Sequence, residues 1–201
     1  MQEEISMVEI TQKVLKKERT MSSTLIGVGG VLLFATLTVA GAYVRIPLPF
    51  SPVPVTLQTI FVLLSGAILG RKLGILSQAA YVLFGIFGLS VFAGGAGAIN
   101  LFGPTGGYII GFILASYAIG LLVRNRYQLS FLKIAAIMLI GEIILFSTGM
   151  LQLAFLFKMS LPAALMMGFI PFIPGEIIKI GAAATIYQRL QSFSRDNFPN
   201  K

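Results

Sequence analysis

FAGGAGAINLFGPTGGY, residues 92–108, decides how often this chain crosses a membrane. It holds six glycines and one proline, and it lies inside Leu73–Val123, a run without a single Asp, Glu, Lys or Arg. One span takes ~20 residues, so that run is long enough for two, and the Gly/Pro-rich segment is the natural break. Outward from it, charge-free stretches cover Thr20–Val44 and Ile46–Gly70, while Phe131–Phe157 and Pro162–Gln188 are apolar with internal charges. The expected fold is an all-α integral membrane protein with six transmembrane helices, at about 21–44, 55–70, 73–92, 107–123, 131–157 and 162–188. These form one domain, 21–188, between a leader, 1–20, and a tail, 189–201.

Composition agrees. The chain has 201 residues, of which 56% are hydrophobic and 11% charged, against about 25% charged in soluble domains. Cys and His are both absent, which excludes disulfides, thiol nucleophiles, imidazole bases and the usual zinc ligands. A net charge of +8 would suggest nucleic acid in a soluble protein. Here position matters first, because Lys and Arg set membrane orientation. The N-terminus, the second-to-third loop, the fourth-to-fifth connection and the C-terminus hold Lys13, Lys16, Lys17, Arg19, Arg71, Lys72, Arg124, Arg126, Lys133, Arg189, Arg195 and Lys201. The alternate loops hold only Arg45 and Lys158. The positive-inside rule puts both termini in the cytoplasm, and an odd number of spans would scramble the segregation.

Ala40-Gly41-Ala42 looks like a signal-peptidase site. The leader before it, however, is about 20 residues long and holds Glu3, Glu4, Glu9 and Glu18, whereas signal peptides have short basic n-regions. A retained helix is the expectation. The leader places Met7, Val8, Ile10, Val14 and Leu15 near one helical face, and is either an amphipathic segment on the inner membrane surface or a solvated tail.

The outward loops differ from the inward ones in more than charge. RIPLPFSPVPVTLQT (Arg45–Thr59) has prolines at 47, 49, 52 and 54, which favour an extended, stiff path. Phe92–Tyr108 is too long and apolar for an ordinary tight turn. Irregular Gly-rich backbone at membrane depth is tolerated inside protein or along a cavity, so the two segments are expected to form a mouth. A phosphate-binding reading of Gly95-Ala96-Gly97 is weaker than that of a tight turn, since no strand precedes it, no Lys is nearby, and Asn100 stands where the third glycine of GxGxxG would be.

PFIPGEIIK (Pro171–Lys179) carries two charges deep in an apolar run. Glu176 and Lys179 are three residues apart and share a helix face. Lys179 is ten residues from Arg189, or ~15 Å along a helix, near the middle of a ~30 Å core. Each such charge costs roughly 2.5–3.5 kcal/mol. Pro171, Pro174 and Gly175 break or kink the helix just before them, a recurring way to build a mid-membrane site. The pair either registers the bundle by self-neutralisation or holds a ligand. Glu142 is a third intramembrane charge, either a second partner for Lys179 or a carboxyl satisfied by packing.

PVPVTLQT (Pro52–Thr59), FVLLSGAILGRKLGILSQ (Phe61–Gln78), GPTGGYIIGF (Gly103–Phe112) and PFIPGEIIK, in this order, resemble the BioY family. Its members are the biotin-binding S components of energy-coupling factor (ECF) transporters. The resemblance covers nearly the whole chain after residue 20. It implies a compact six-helix bundle with a vitamin pocket near the outer face of a bacterial cytoplasmic membrane. It further implies that Glu176, Lys179 and Asn100 hold the ureido ring of biotin, with Gln58 and Tyr108 next to line the pocket. The family's acid is usually Asp, so Glu176 departs by one methylene. Arg45 at the mouth suits the ligand's carboxylate on electrostatic grounds.

Biotin is then a transported ligand, with no cofactor and no catalytic residue expected. No Walker A motif (GxxxxGK[ST]) occurs. The resemblance therefore implies a transmembrane coupling subunit and two cytosolic ATPases as partners. The coupling subunit would dock on the first helix, where Ser23/Gly27, Thr36/Ala40 and Thr38/Ala42 are small pairs four apart, which serve close helix approach either there or within the bundle. Competing readings are an S component for another small molecule, an ion-coupled secondary transporter relaying through Glu176, Lys179 or Glu142, and an intramembrane enzyme with a Ser/Lys dyad.

Overall fold

A computed structural model describes residues 2–123 and 128–198, with side chains at 21 and from 23 onward. Arg124, Arg126 and Lys201, and the leader's side chains at Met7, Val8, Ile10, Lys13, Val14, Leu15, Lys16, Lys17 and Arg19, lie outside the described residues.

A bilayer offers no water to the backbone, so an apolar span must satisfy its own N–H and C=O groups as helix. Helix α1 covers Gln2–Tyr43, α2 Gln58–Ile86, α3 Gly106–Val123, α4 Phe131–Leu156, α5 Leu161–Gly168 and α6 Ile173–Asn197. Five helical stretches among the described residues are long and apolar enough to cross a membrane: Ser23–Tyr43, α2, α3, α4 and the α5–α6 run Leu161–Asn197.

Helix α2 is not straight. Gly70 has φ 78° and ψ −177°, a backbone region that is essentially glycine-only. In a continuous helix Gln58 and Tyr81 would stand roughly 34 Å apart, yet Gln58 Nε2 donates to the Tyr81 hydroxyl at 2.6 Å. Gln78 Nε2 likewise reaches Ser65 Oγ at 3.1 Å. The chain reverses at Gly70, and α2 is two antiparallel arms. This is the place between residues 70 and 73 where the sequence separates two spans.

Helix ends sort into two levels. At one, Ser194 Oγ donates to the Ile68 carbonyl at 2.6 Å and Gln191 bonds Leu129 at 2.7 and 3.1 Å. Gly30 of α1 lies against the ring of Phe198. The far end of α6, the Gly70 reversal and the α3–α4 connection thus share that level with the early part of the α1 span. At the other level lie the Arg45–Thr56 segment, residues 87–105 and the α4–α5 turn, joined where Gln152 Nε2 donates to the carbonyls of Leu101 and Gly103 at 2.8 and 2.7 Å.

The all-helical expectation needs one correction. Arg45–Leu48 (β1) and Ser51–Thr56 (β2) pair antiparallel, with Arg45 opposite Thr56, Ile46 opposite Val55 and Leu48 opposite Ser51. The prolines explain it: they cannot continue a helix, but a two-stranded ribbon has only edge strands, where a missing N–H is tolerated.

The core has two apolar clusters. The one at the termini level includes Phe34, Leu63, Ile119, Met138 and Tyr187. The one toward the mouth is aromatic, built on Tyr81, Phe92, Tyr108, Phe112, Phe146 and Phe172. Thr38, Ser65, Ser77, Gln78 and Ser116 are fully buried and bonded to one another through Gln78 and Ser65.

Candidate functional site

The chain breaks between α5 and α6, at a 3-10 turn over Ile170–Phe172. Pro174 occupies the first turn of α6, where its missing N–H costs nothing, and Glu176 follows in the same turn. A carboxylate there gains from the unpaired N–H groups at the helix start. Glu176 is 6% and Lys179 7% exposed. Lys179 Nζ meets Glu176 Oε1 at 2.5 Å and donates to the Thr56 carbonyl at 2.9 Å. The other Glu176 oxygen accepts from Thr59 Oγ1 at 2.8 Å. The pair thus clamps α6 to the end of the ribbon and the start of α2.

Above the pair is a cavity of about 40 Å³, walled by Gln58, Thr59, Tyr81, Tyr108, Phe112, Phe146, Phe172 and Glu176. One water needs about 10–15 Å³ of such space, so the cavity as it stands has room for a few waters and is far below the size of a small-molecule site. A second chamber of about 560 Å³, the outer one because it lies toward the loop end of the bundle, is lined by Arg45, Leu48, Pro52, Asn100, Gly103 and other residues of the ribbon and the 87–105 segment. That volume lies in the range of small-molecule sites, roughly 300–1,000 Å³. Pro54, Ala93 and Thr105 line both spaces and form the partition between them. Arg45 holds one part of it, its guanidinium donating to the Ala93 carbonyl.

The six residues singled out in the sequence fall into three places. Gln58, Tyr108 and Glu176 line the inner cavity. Arg45 and Asn100 line the outer chamber. Lys179 lines neither and stands behind Glu176. Asn100 is not brought to the Glu176–Lys179 pair; its Nδ2 donates to the carbonyls of Ala96 and Gly97 at 2.8 and 3.2 Å and shapes its own loop.

Sequence reasoning missed Thr56, Thr59 and Tyr81. The first two stand inside the TLQT motif that drew attention to Gln58, so that motif was the signal. Tyr81 becomes visible only once the chain is known to reverse at Gly70. Tyr108 has a structural duty as well: its buried hydroxyl donates to the Gly168 carbonyl at 2.8 Å, tying α3 to the end of α5. Tyr108→Phe would strand that carbonyl, and is expected to cost about 1–3 kcal/mol, read as a lower unfolding temperature in detergent.

A helical membrane bundle with an aromatic pocket, an ion pair at its edge and a larger chamber beside it is the architecture of a small-molecule-binding transport subunit. The sequence profile of the BioY family matches residues 16–196, and the chain belongs to that family. It is 42% identical over 160 residues to the biotin transporter BioY of Thermotoga maritima, covering 79% of this chain and 92% of that one. To the probable biotin transporter BioY of Pyrococcus horikoshii it is 40% identical over 162 residues, covering 80% and 93%. Among solved structures it superposes on the S-component for biotin from an ECF-type ABC transporter with a TM-score of 0.76 and 27% identity, over 84% of this chain and 92% of that one.

Proposed function

We propose that this chain captures biotin at the outer face of a bacterial cytoplasmic membrane, as the substrate-specific subunit of an ECF-type transporter. The observation that carries this is the buried Glu176–Lys179 pair under an aromatic cavity, in a family whose relatives are named biotin transporters. Glu176 has the acceptor oxygens that ureido N–H groups need, and Lys179 has the donor that the ureido carbonyl needs. Gln58 and Tyr108 complete the polar edge of an otherwise apolar wall. Arg45 suits the ligand's carboxylate in the outer chamber. A ligand of this size does not fit the inner cavity as it stands, so capture moves the Pro54–Ala93–Thr105 partition. Polar groups left unpaired in the dry pocket would cost ~1–3 kcal/mol each, which is how look-alikes without a ureido ring would be rejected.

In the membrane the chain crosses six times, the two arms of α2 counting separately. Both termini are cytoplasmic, as the segregated Lys and Arg dictate. A transmembrane coupling subunit and two cytosolic ATPases supply the energy. The coupling subunit meets α1 on its exposed apolar face, which carries Leu25, Val28, Leu32 and Leu33. Of the small pairs on that helix, Thr36/Ala40 faces outward, while Thr38/Ala42 is buried in the bundle and Gly27 faces the side chain of Leu73.

Calorimetric titration of the purified protein in detergent tests the capture role, with riboflavin and thiamine as controls. One-to-one biotin binding is expected, weakened about tenfold in Gln58→Ala, the loss of one good hydrogen bond to a buried ligand group. Well-folded protein that ignores biotin would sink the proposal in favour of another small molecule.

A further inference from the structure

Glu142 lies on α4 one turn before Leu145 and Phe146, both of which wall the inner cavity. Residues three and four apart share a helix face, so Glu142 is on the cavity side of α4, one turn deeper. It is 3% exposed, and neither of its carboxyl oxygens has a hydrogen-bond partner among the described residues. The charged groups acting on it are Glu176 and Lys179 of α6. The other helices packed on α4 bring no charge to this level. Leu63 of α2 and Ile119 of α3 pack on the adjacent Gly141, and α5 has no titratable side chain. The Tyr81 and Tyr108 hydroxyls are engaged with Gln58 and the Gly168 carbonyl.

Donors and charges in this cluster do not balance with both carboxyls ionised. Glu176 already accepts from Lys179 and Thr59, and Lys179 already serves Glu176 and Thr56. Two carboxylates and one ammonium leave a net negative charge in an apolar interior and two acceptor oxygens without a donor. Like charges sharing a buried site do not both persist. A single proton neutralises the cluster and turns one of the two bare oxygens into a donor. We infer that Glu142 holds a proton beneath the ligand pocket, and that it uses this proton to position Glu176 for a ligand bearing N–H groups. Glu142 is thus a positioning residue. The ligand half of the inference rests on the biotin reading above; the proton half does not.

Infrared spectroscopy of the full chain at neutral pH, in a detergent without ester or carboxyl groups, reads the proton directly. The other acidic residues are Glu3, Glu4, Glu9, Glu18 and Asp196, all outside the spans, so a C=O band from an un-ionised carboxyl has its source in this cluster. The band is expected in the native protein and absent in Glu142→Gln. A native protein without it, or a band that survives Glu142→Gln, overturns the inference. Biotin titrations toward alkaline pH supply the second readout. Native affinity is expected to fall about tenfold per pH unit once the proton is lost, while Glu142→Gln, whose amide keeps a donor without a charge, stays flat. A native profile as flat as that of the variant overturns the positioning role. An intact band without any biotin binding would fail the biotin reading and leave the proton on Glu142 standing.

Discussion

Lys179→Ala is expected to abolish biotin capture and to destabilise the fold at the same time. Lys179 Nζ pairs with Glu176 at 2.5 Å and donates to the Thr56 carbonyl at 2.9 Å, and the pair is almost fully buried. Removing one member of a buried ion pair leaves the other uncompensated, at a cost of about 3–5 kcal/mol. If all of that were lost from binding, affinity would fall roughly 200-fold or more. Two measurements separate binding from scaffolding: calorimetric titration with biotin, and the unfolding temperature in detergent. The double variant Lys179→Met/Glu176→Gln removes both charges together and is expected to recover much of the stability lost in Lys179→Ala. It is expected not to recover binding, because the donor and the charged acceptor are both gone. Recovered binding in the double variant would mean the pair only registers the bundle.

Gly70→Ala is expected to have the next largest effect, on folding. At φ 78° and ψ −177° a side chain is strained by about 1–3 kcal/mol. The reversal also packs tightly, since Gly120 of α3 lies directly on the backbone of Gly70 and Arg71. The strain falls where the two arms of α2 are brought together, so it propagates to Gln58–Tyr81 and Ser65–Gln78. The expected outcome is a lower unfolding temperature and reduced yield of monodisperse protein. Biotin affinity per folded molecule should change less than in Lys179→Ala. A Gly70→Ala protein as stable as the native one would show that the chain can reverse there in another backbone conformation.

Much of this architecture was legible because its causes are local. Leu73–Val123 carries no charge and is punctuated at Gly94–Gly107, and the structure interrupts helix there, between Ile86 and Gly106. Four prolines between 47 and 54 forbid helix, and an extended segment follows, although its pairing into a ribbon depends on Arg45 meeting Thr56. Glu176 and Lys179 pair because helix geometry alone puts positions three apart side by side. The break ahead of them follows from Pro171 and Pro174.

The site beyond that pair was less legible. Thr59 meets Glu176 across 117 positions, Lys179 meets Thr56 across 123, and Gln58 meets Tyr81 across 23. Nothing in local spacing announces such contacts. Asn100 was placed beside the ion pair by family resemblance, whereas in the structure its amide is used within its own loop and it lines the outer chamber. Glu142 left two readings open until α4 was seen packed against α6.

The sequence by itself determined that this is a membrane protein of apolar helices, where its chain interrupts them, and that a Glu/Lys pair is buried in the last one. Each of these is a contest between a short segment and its solvent: an apolar run in lipid must be helix, and a charge there needs a partner within reach. Only the tertiary structure decided which distant groups meet the pair, that two chambers are divided by Pro54, Ala93 and Thr105, and that Glu142 lies beside Glu176. Those outcomes come from packing between helices, where a buried polar group takes whichever partner the bundle brings to it, and the spacing along one helix carries no record of its neighbour.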